Sequence, residues 1–200
     1  MKKTTYLFIL IGCTALLLSG FGAEVLARVP DKDIYQPGTL KPVDSSLKVK
    51  VGDEAPDFDL PSVTGGKVTL SEFRGKKNVV LSFIPAAWTP VCSDQWPGYN
   101  IAKEFFDESD AILIGISVDN IPTQFAWTNQ MGKLWFPVLS DFYPHGGYAS
   151  KLGILRSNGV TERAIFIIDK KGIIRYIDVH DINERPRLKS IVNEMKKLDR

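Results

Sequence analysis

One residue carries most of the chemistry this chain can do. Cys92 follows Asn78–Ile84, a run rich in β-branched residues of the kind that fills a buried central strand. The intervening loop, Pro85-Ala86-Ala87-Trp88-Thr89, leads into a segment from Pro90 that reads as helix. Cys92 therefore sits in a first helical turn, after a loop at the carboxyl end of a strand, where open α/β sheets place their active groups. Unpaired N–H groups and the positive end of the helix dipole meet there. Both favour a thiolate, the nucleophilic form of cysteine. The chain has only one other cysteine, Cys13, and two histidines, His145 and His180. That is too few for a disulfide framework, a four-cysteine zinc site or a histidine-based metal centre.

The elements that must position Cys92 follow from periodicity. A hairpin is expected from Val51–Leu60 and Lys67–Leu70 around Gly65-Gly66, then one helical turn at Ser71–Gly75. Pro90–Phe106 reads as helix, bent at Pro97-Gly98. Ala111–Val118 is a second buried strand, and Ile121–Met131 a helix capped by Asn120. A short strand at Pro137–Ser140 and a short helix at Tyr148–Leu152 come next. Ala164–Ile168 and Ile173–Val179 form a closing hairpin. Leu188, Ile191, Val192, Met195 and Leu198 share one face of a last helix that opens at Pro186. Strands alternating with helices before a final hairpin give an α/β fold, a mixed central sheet flanked by helices.

Residues 1–27 read differently. Lys2 and Lys3 precede an uncharged, largely apolar run over residues 4–23, the pattern of an export signal or a membrane anchor. Cleavage fits after Val25-Leu26-Ala27 or after Gly20-Phe21-Gly22. Leu10-Ile11-Gly12-Cys13 offers a lipoprotein box. Each reading puts the remainder outside the cytoplasm, periplasmic or secreted, with a membrane tether where residues 4–23 are kept. Loss of residues 1–27 leaves Cys92 as the lone thiol of an exported protein, a liability unless it is used or buried. Residues 28–48, with Pro30, Pro37 and Pro42 among charges, read as a linker or extended arm. The folded domain is expected at 49–200.

Composition removes other classes. Of 200 residues, 44% are apolar and 24% charged, which excludes bulk disorder. The net charge of +2, without a basic cluster, argues against nucleic acid as the partner.

Pro85-x-x-x-Thr89-x-x-Cys92 matches the active-site motif of peroxiredoxins, and the chain resembles their alkyl hydroperoxide reductase/thiol-specific antioxidant branch over residues 49–180. Val51–Phe58 resembles the family's opening segment. Arg163 stands where the family places its active-site arginine. Phe136–Gly146 is similar to a subgroup that works with one cysteine. The resemblance implies a thioredoxin-like fold and a thiol-dependent peroxidase that needs no metal or organic cofactor. It implies that Cys92 attacks the peroxide and becomes a sulfenic acid. Thr89 would orient the peroxide, Arg163 stabilise the charges, and Pro85 shield the thiolate. The backbone N–H groups of Val91 and Cys92 would contact the substrate. Trp88 stands where phenylalanine is usual and would shape the entrance. A homodimer is the family's expectation.

Some relatives carry a second cysteine five positions on, where this chain has Pro97, and no cysteine follows Cys92. A one-cysteine mechanism follows, with the sulfenic acid resolved by an external thiol or a thioredoxin-like reductant. Rival readings fare worse. A thiol–disulfide oxidoreductase wants Cys-x-x-Cys, but Gln95 fills the second position. A copper chaperone wants Cys-x-x-x-Cys, but Trp96 does. A redox sensor or binding module without turnover keeps the same residues and differs only in kinetics. Bland roles also compete: Cys92 as core filler, Thr89 as a helix cap, Arg163 as a surface ion-pair former, Asp94 as a solvated charge, and His145 as a structural or pocket-rim residue.

Overall fold

The computed structural model describes residues 29–198. The expected signal or anchor, residues 4–23 within it and Cys13 lie outside that span. No helix among the described residues is long and apolar enough to cross a membrane.

Five strands form one mixed sheet. β3 (Asn78–Phe83) lies at its centre, parallel to β4 (Ala111–Ser117), which in turn runs parallel to β5 (Val138–Ser140). On the other side β3 pairs antiparallel with β6 (Arg163–Ile168), and β6 with β7 (Ile174–His180). The order is β5-β4-β3-β6-β7. A separate two-stranded hairpin joins β1 (Asp59–Pro61) to β2 (Lys67–Thr69). Among the described residues the α-helices are α1 (Pro90–Gly98), α2 (Lys103–Glu108), α3 (Ile121–Gln130), α4 (Gly147–Leu152) and α5 (Leu188–Met195). The expected helix over 90–106 breaks at Pro97-Gly98 and resumes as α2 after a 3₁₀ turn at Asn100–Ala102. Asn120 caps α3 by accepting the Thr123 N–H at 2.9 Å.

Alternation along the central strands fills a core on each face. Val80, Leu113, Ile165 and Ile167 meet Trp96, Phe106, Trp127 and the apolar stripe of α5. Val79, Leu81, Phe83, Ile114 and Phe166 meet the hairpin and α4 on the other. α1 lies unusually close to the sheet. Gly115 of β4 sits under the Trp96 indole, and a Cβ there would lie 2.8 Å from Trp96 Cζ2. Trp96 is fully buried and stacked at 5.2 Å on Trp127, so it has no room to yield.

Residues 29–48 are extended apart from a 3₁₀ turn at Asp31–Asp33, but they are not a free linker. Val29 is buried in the core, and the chain then runs across the body as an arm. Its anchors are hydrogen bonds to single groups, which leave no periodic signature. The Lys41 carbonyl accepts from Arg156 Nη2 at 2.7 Å, and Asp44 N–H donates to Glu162 Oε1 at 2.6 Å. Arg156 and Glu162 are a buried ion pair, so the arm closes over two charges. The Asp44 carboxylate accepts from the backbone and hydroxyl of Ser157. The arm ends against Gly153, the left-handed residue after α4 (φ +79°), where Ser46–Lys48 pack closer than any Cβ would allow.

Two outcomes test this layout. Gly115→Ala should cost about 1–3 kcal/mol by lifting Trp96 and α1, measured by denaturant unfolding; an unchanged midpoint would mean α1 is not pinned there. The second concerns Asp44. The Ser157 hydroxyl, then Lys41, hold its carboxyl well below the usual carboxylate range. A depressed pKa stabilises the fold above the unfolded value of ~3.9 and that contribution is lost as pH falls through the folded value. Amides of residues 40–44 should therefore exchange faster in Asp44→Asn than in wild type at neutral pH. That difference should shrink in acid. Equal exchange at neutral pH would remove Asp44 as an anchor.

Candidate active site

The register of β6 against β3 builds the site. Phe83 pairs with Ala164, so Arg163 lies beside the carboxyl end of β3, where the chain turns toward α1. Thr161 holds that turn by donating to the Ile84 carbonyl at 2.7 Å. Ala87 N–H donates to Asp119 Oδ2 at 2.8 Å, tying the loop to the end of β4. Trp88 takes a left-handed backbone (φ 62°), a strained choice for a bulky residue. Its carbonyl accepts the Tyr35 N–H at 2.8 Å, so the arm helps hold the loop.

Arg163 is 2% exposed and Cys92 1%. Arg163 Nη2 donates to Cys92 Sγ at 3.4 Å. Its Nε and Nη2 donate to the Ile182 carbonyl at 3.2 and 3.0 Å, and Nη1 donates to Gln95 Oε1. Gln95 is fixed in turn: its amide donates to Ser82 Oγ and to Tyr99 Oη, both at 3.1 Å. Tyr99 is wholly buried, and burial raises its pKa, keeping the phenol neutral. No carboxylate ion-pairs with Arg163 among the described residues. The guanidinium is thus a buried cation whose partners are two neutral oxygens and one sulfur. It is the charge complement of a thiolate at Cys92.

Beside the site lies a cavity of about 800 Å³. Pro85, Thr89, Val91 and Arg163 line it, whereas Cys92 itself is not among its lining residues and adjoins it through Val91 and Arg163. The N–H groups of Val91 and Cys92, in the first turn of α1, donate to no protein acceptor among the described residues. Thr89 precedes α1 but does not cap it with its side chain; its hydroxyl donates to the Ala86 carbonyl at 3.0 Å. Its lone pairs are left to accept a hydrogen bond from a ligand. Trp88, expected at the entrance, is not among the lining residues. It packs against the core cluster around α1, because its left-handed backbone turns it there.

Arg163 is therefore not a surface ion-pair former. Asp94 does pair, with Arg185 at 2.6 Å, on the exposed side of α1. His145 ties its loop to the Gly159 carbonyl at 2.6 Å and stays off the cavity lining. No cluster of metal-ligating side chains occurs among the described residues. The sequence reading missed Gln95, the Ile182 carbonyl and the docking of the arm beside the site. Only Gln95 left a usable signal, since three residues beyond Cys92 it shares that helix face.

Residues 51–177 match the AhpC/TSA family. The chain belongs to that family. It is 36% identical over 137 residues to alkyl hydroperoxide reductase E of Mycobacterium bovis, covering 68% of this chain and 89% of that protein. It is 34% identical over 148 residues to mouse peroxiredoxin-2, covering 69% and 73%. Reduced 2-Cys peroxiredoxin of Plasmodium vivax superposes with a TM-score of 0.71 at 28% identity, covering 76% of this chain and 82% of that one. Mycobacterium tuberculosis AhpC has a TM-score of 0.70 at 22% identity, covering 76% and 93%, a likeness of fold. The mixed sheet flanked by helices is thus a peroxiredoxin-type thioredoxin fold.

Gln95→Leu should destabilise the fold by about 1–3 kcal/mol, because it strands a buried guanidinium N–H. Urea unfolding measures this. An unchanged midpoint would show that Arg163 finds another acceptor.

Proposed function

We propose that this chain is an exported peroxiredoxin that works with Cys92 alone and relies on an external thiol for resolution. Family membership supplies the enzyme class, a thiol-dependent peroxidase. The observation that carries the site assignment is Arg163 Nη2 at 3.4 Å from Cys92 Sγ, both buried beside the cavity.

The chemistry follows from these positions. The Cys92 thiolate attacks the terminal oxygen of a hydroperoxide. An S–O bond forms as the O–O bond breaks. Sulfur loses two electrons, and the leaving alkoxide or hydroxide takes a proton to become alcohol or water. The free N–H groups of Val91 and Cys92 and the guanidinium face the oxygens on which charge develops. The Thr89 hydroxyl accepts the peroxide O–H and sets the line of attack. Pro85 and the arm keep bulk water off the sulfur.

Cys92 sulfenic acid then condenses with an incoming thiol, releasing water, and a second thiol frees Cys92 as a disulfide leaves. The one-cysteine reading rests on Pro97 at the position where some relatives carry a second cysteine, and on the absence of any cysteine after Cys92. The export reading rests on the basic start and apolar run of residues 1–27. Fractionation of cells with N-terminal sequencing of the product tests it; an intact start in the cytoplasm would sink it.

Rapid mixing of the reduced protein with hydrogen peroxide tests the rest. Trp96, one turn from Cys92 and buried, should report oxidation as a fast second-order change in fluorescence. Cys92→Ser should abolish it. Arg163→Ala should slow it by roughly 100-fold, the scale for loss of a charge-stabilising donor. A supplied small thiol should restore the reduced state repeatedly. Oxidation without such turnover would point to a sensor; a silent Cys92 would mean a structural thiol.

A further inference from the structure

The cavity beside Cys92 is far larger than hydrogen peroxide needs. A water occupies ~30 Å³, and hydrogen peroxide has only two heavy atoms. A volume of about 800 Å³ is that of a site for an organic molecule. Much of its outer wall comes from outside the segment that matches the family, namely residues 35–40 of the arm and Asn183.

That wall is built to stay in place. Tyr35 N–H donates to the Trp88 carbonyl at 2.8 Å at one end of the span. At the other, the Asn183 side chain grips both polar groups of Leu40. Its oxygen accepts the Leu40 N–H, and its amide donates to the Leu40 carbonyl, each at 2.8 Å. Ile182 N–H donates to the Pro42 carbonyl at 3.1 Å just beyond. Between these clamps, residues 36–39 make no hydrogen bond among the described residues. They turn at Gly38 (φ +72°) and hang over the cavity.

The wall's chemistry is specific. Arg163 is the only charged residue in the lining, and most of its donors are committed to Cys92, Gln95 and Ile182. Asn183 is likewise committed, since its amide also donates to Asp181 Oδ1 at 2.7 Å. From the arm, Tyr35, Pro37 and Leu40 line the cavity together with Gln36 and Thr39, and Val160 and Ile182 add further apolar surface. Apart from Arg163 the polar side chains of the lining, Gln36, Thr39, Thr89, Asn158 and Asn183, are neutral, and apolar residues outnumber them. An occupant with a hydroperoxide head and an uncharged, largely apolar body fits that lining.

Building on the peroxidase reading, we propose that the arm, clamped by Asn183, forms a subsite for the apolar body of an organic hydroperoxide and so determines specificity. Tyr35 and Leu40 contact the body, while Asn183 is a positioning residue. The same clamp neighbours the Ile182 carbonyl that holds Arg163, so an occupied subsite and a correctly placed guanidinium go together.

The test uses second-order oxidation rate constants for cumene hydroperoxide and hydrogen peroxide, from fluorescence after rapid mixing. In wild type the rate with cumene hydroperoxide should saturate with concentration, showing a bound complex. The ratio of the two constants should fall about tenfold in Tyr35→Ser/Leu40→Ser, the scale for lost apolar contacts in a pocket. Asn183→Ala should lower the ratio too, without touching an apolar contact directly. Both substituted sites are half-buried or exposed, which leaves the core intact. Ratios within twofold of wild type in both variants would overturn the subsite while leaving the peroxidase reading intact. A wild-type protein oxidised by neither peroxide would overturn both.

Discussion

A buried guanidinium that no carboxylate contacts as an ion pair, among the described residues, is the constraint on which this site depends. Removing such a charge from water is costly unless its surroundings compensate. Here they do so only in part. Two neutral oxygens, from Ile182 and Gln95, take three of its donor contacts, and the sulfur of Cys92 takes the remaining one. A carboxylate at the same place would neutralise Arg163 and leave the sulfur without a counter-charge. Neutral acceptors orient the fork and leave its charge uncancelled. The polar series from Ser82 through Gln95 to Arg163 thus fixes direction and holds a positive charge against the Cys92 sulfur.

The fold delivers this arrangement through a few register choices. β6 runs antiparallel to β3, so the start of β6 meets the end of β3. β7 then returns so that His180 lies opposite Arg163, and Ile182, two residues on, turns its carbonyl onto the guanidinium. Meanwhile Gly115 admits Trp96 to the sheet surface, which sets the depth of α1 and therefore of Cys92. A slip of one residue in the pairing of β6 with β3 would send Arg163 to the opposite face.

Much of this was legible in the sequence, and the exceptions share a cause. The strands and helices around Cys92 show in periodicity because each buries a repeating apolar face. Arg163, Thr89, Pro85 and Cys92 were found through the motif and the resemblance. Residues 28–48 read as a linker or extended arm, and their docking left no signal because it uses single backbone groups and isolated partners, such as Asp44 with Ser157 and Leu40 with Asn183. Such contacts have no period, and their partners lie more than a hundred residues away. Trp88 was placed at the entrance from its neighbours, whereas a left-handed backbone turned it inward. Backbone handedness at a non-glycine residue is set by the surrounding packing, which local sequence does not encode. Thr89 illustrates a subtler limit: its position before α1 was legible, but the direction of its hydroxyl depends on the Ala86 carbonyl.

The depth of Cys92 also orders the reaction. α1 and the aromatic cluster of Trp96 and Trp127 close the sulfur on the core side, and Arg163 closes it along β6. The cavity beneath the arm is the remaining approach. On the one-cysteine reading, peroxide and reducing thiol must then use the same approach. They cannot occupy it together, because each must bring an atom to bonding distance of one sulfur. The alcohol or water formed from the peroxide must leave before the thiol enters, which is the condition for alternating, ping-pong turnover. A small thiol meets that condition with the arm in place. On the same reading a protein thiol would have to reach a sulfur that is 1% exposed, past an arm held to Asn183 and Trp88. The contacts that hold the proposed substrate wall would then also grade reductants by size.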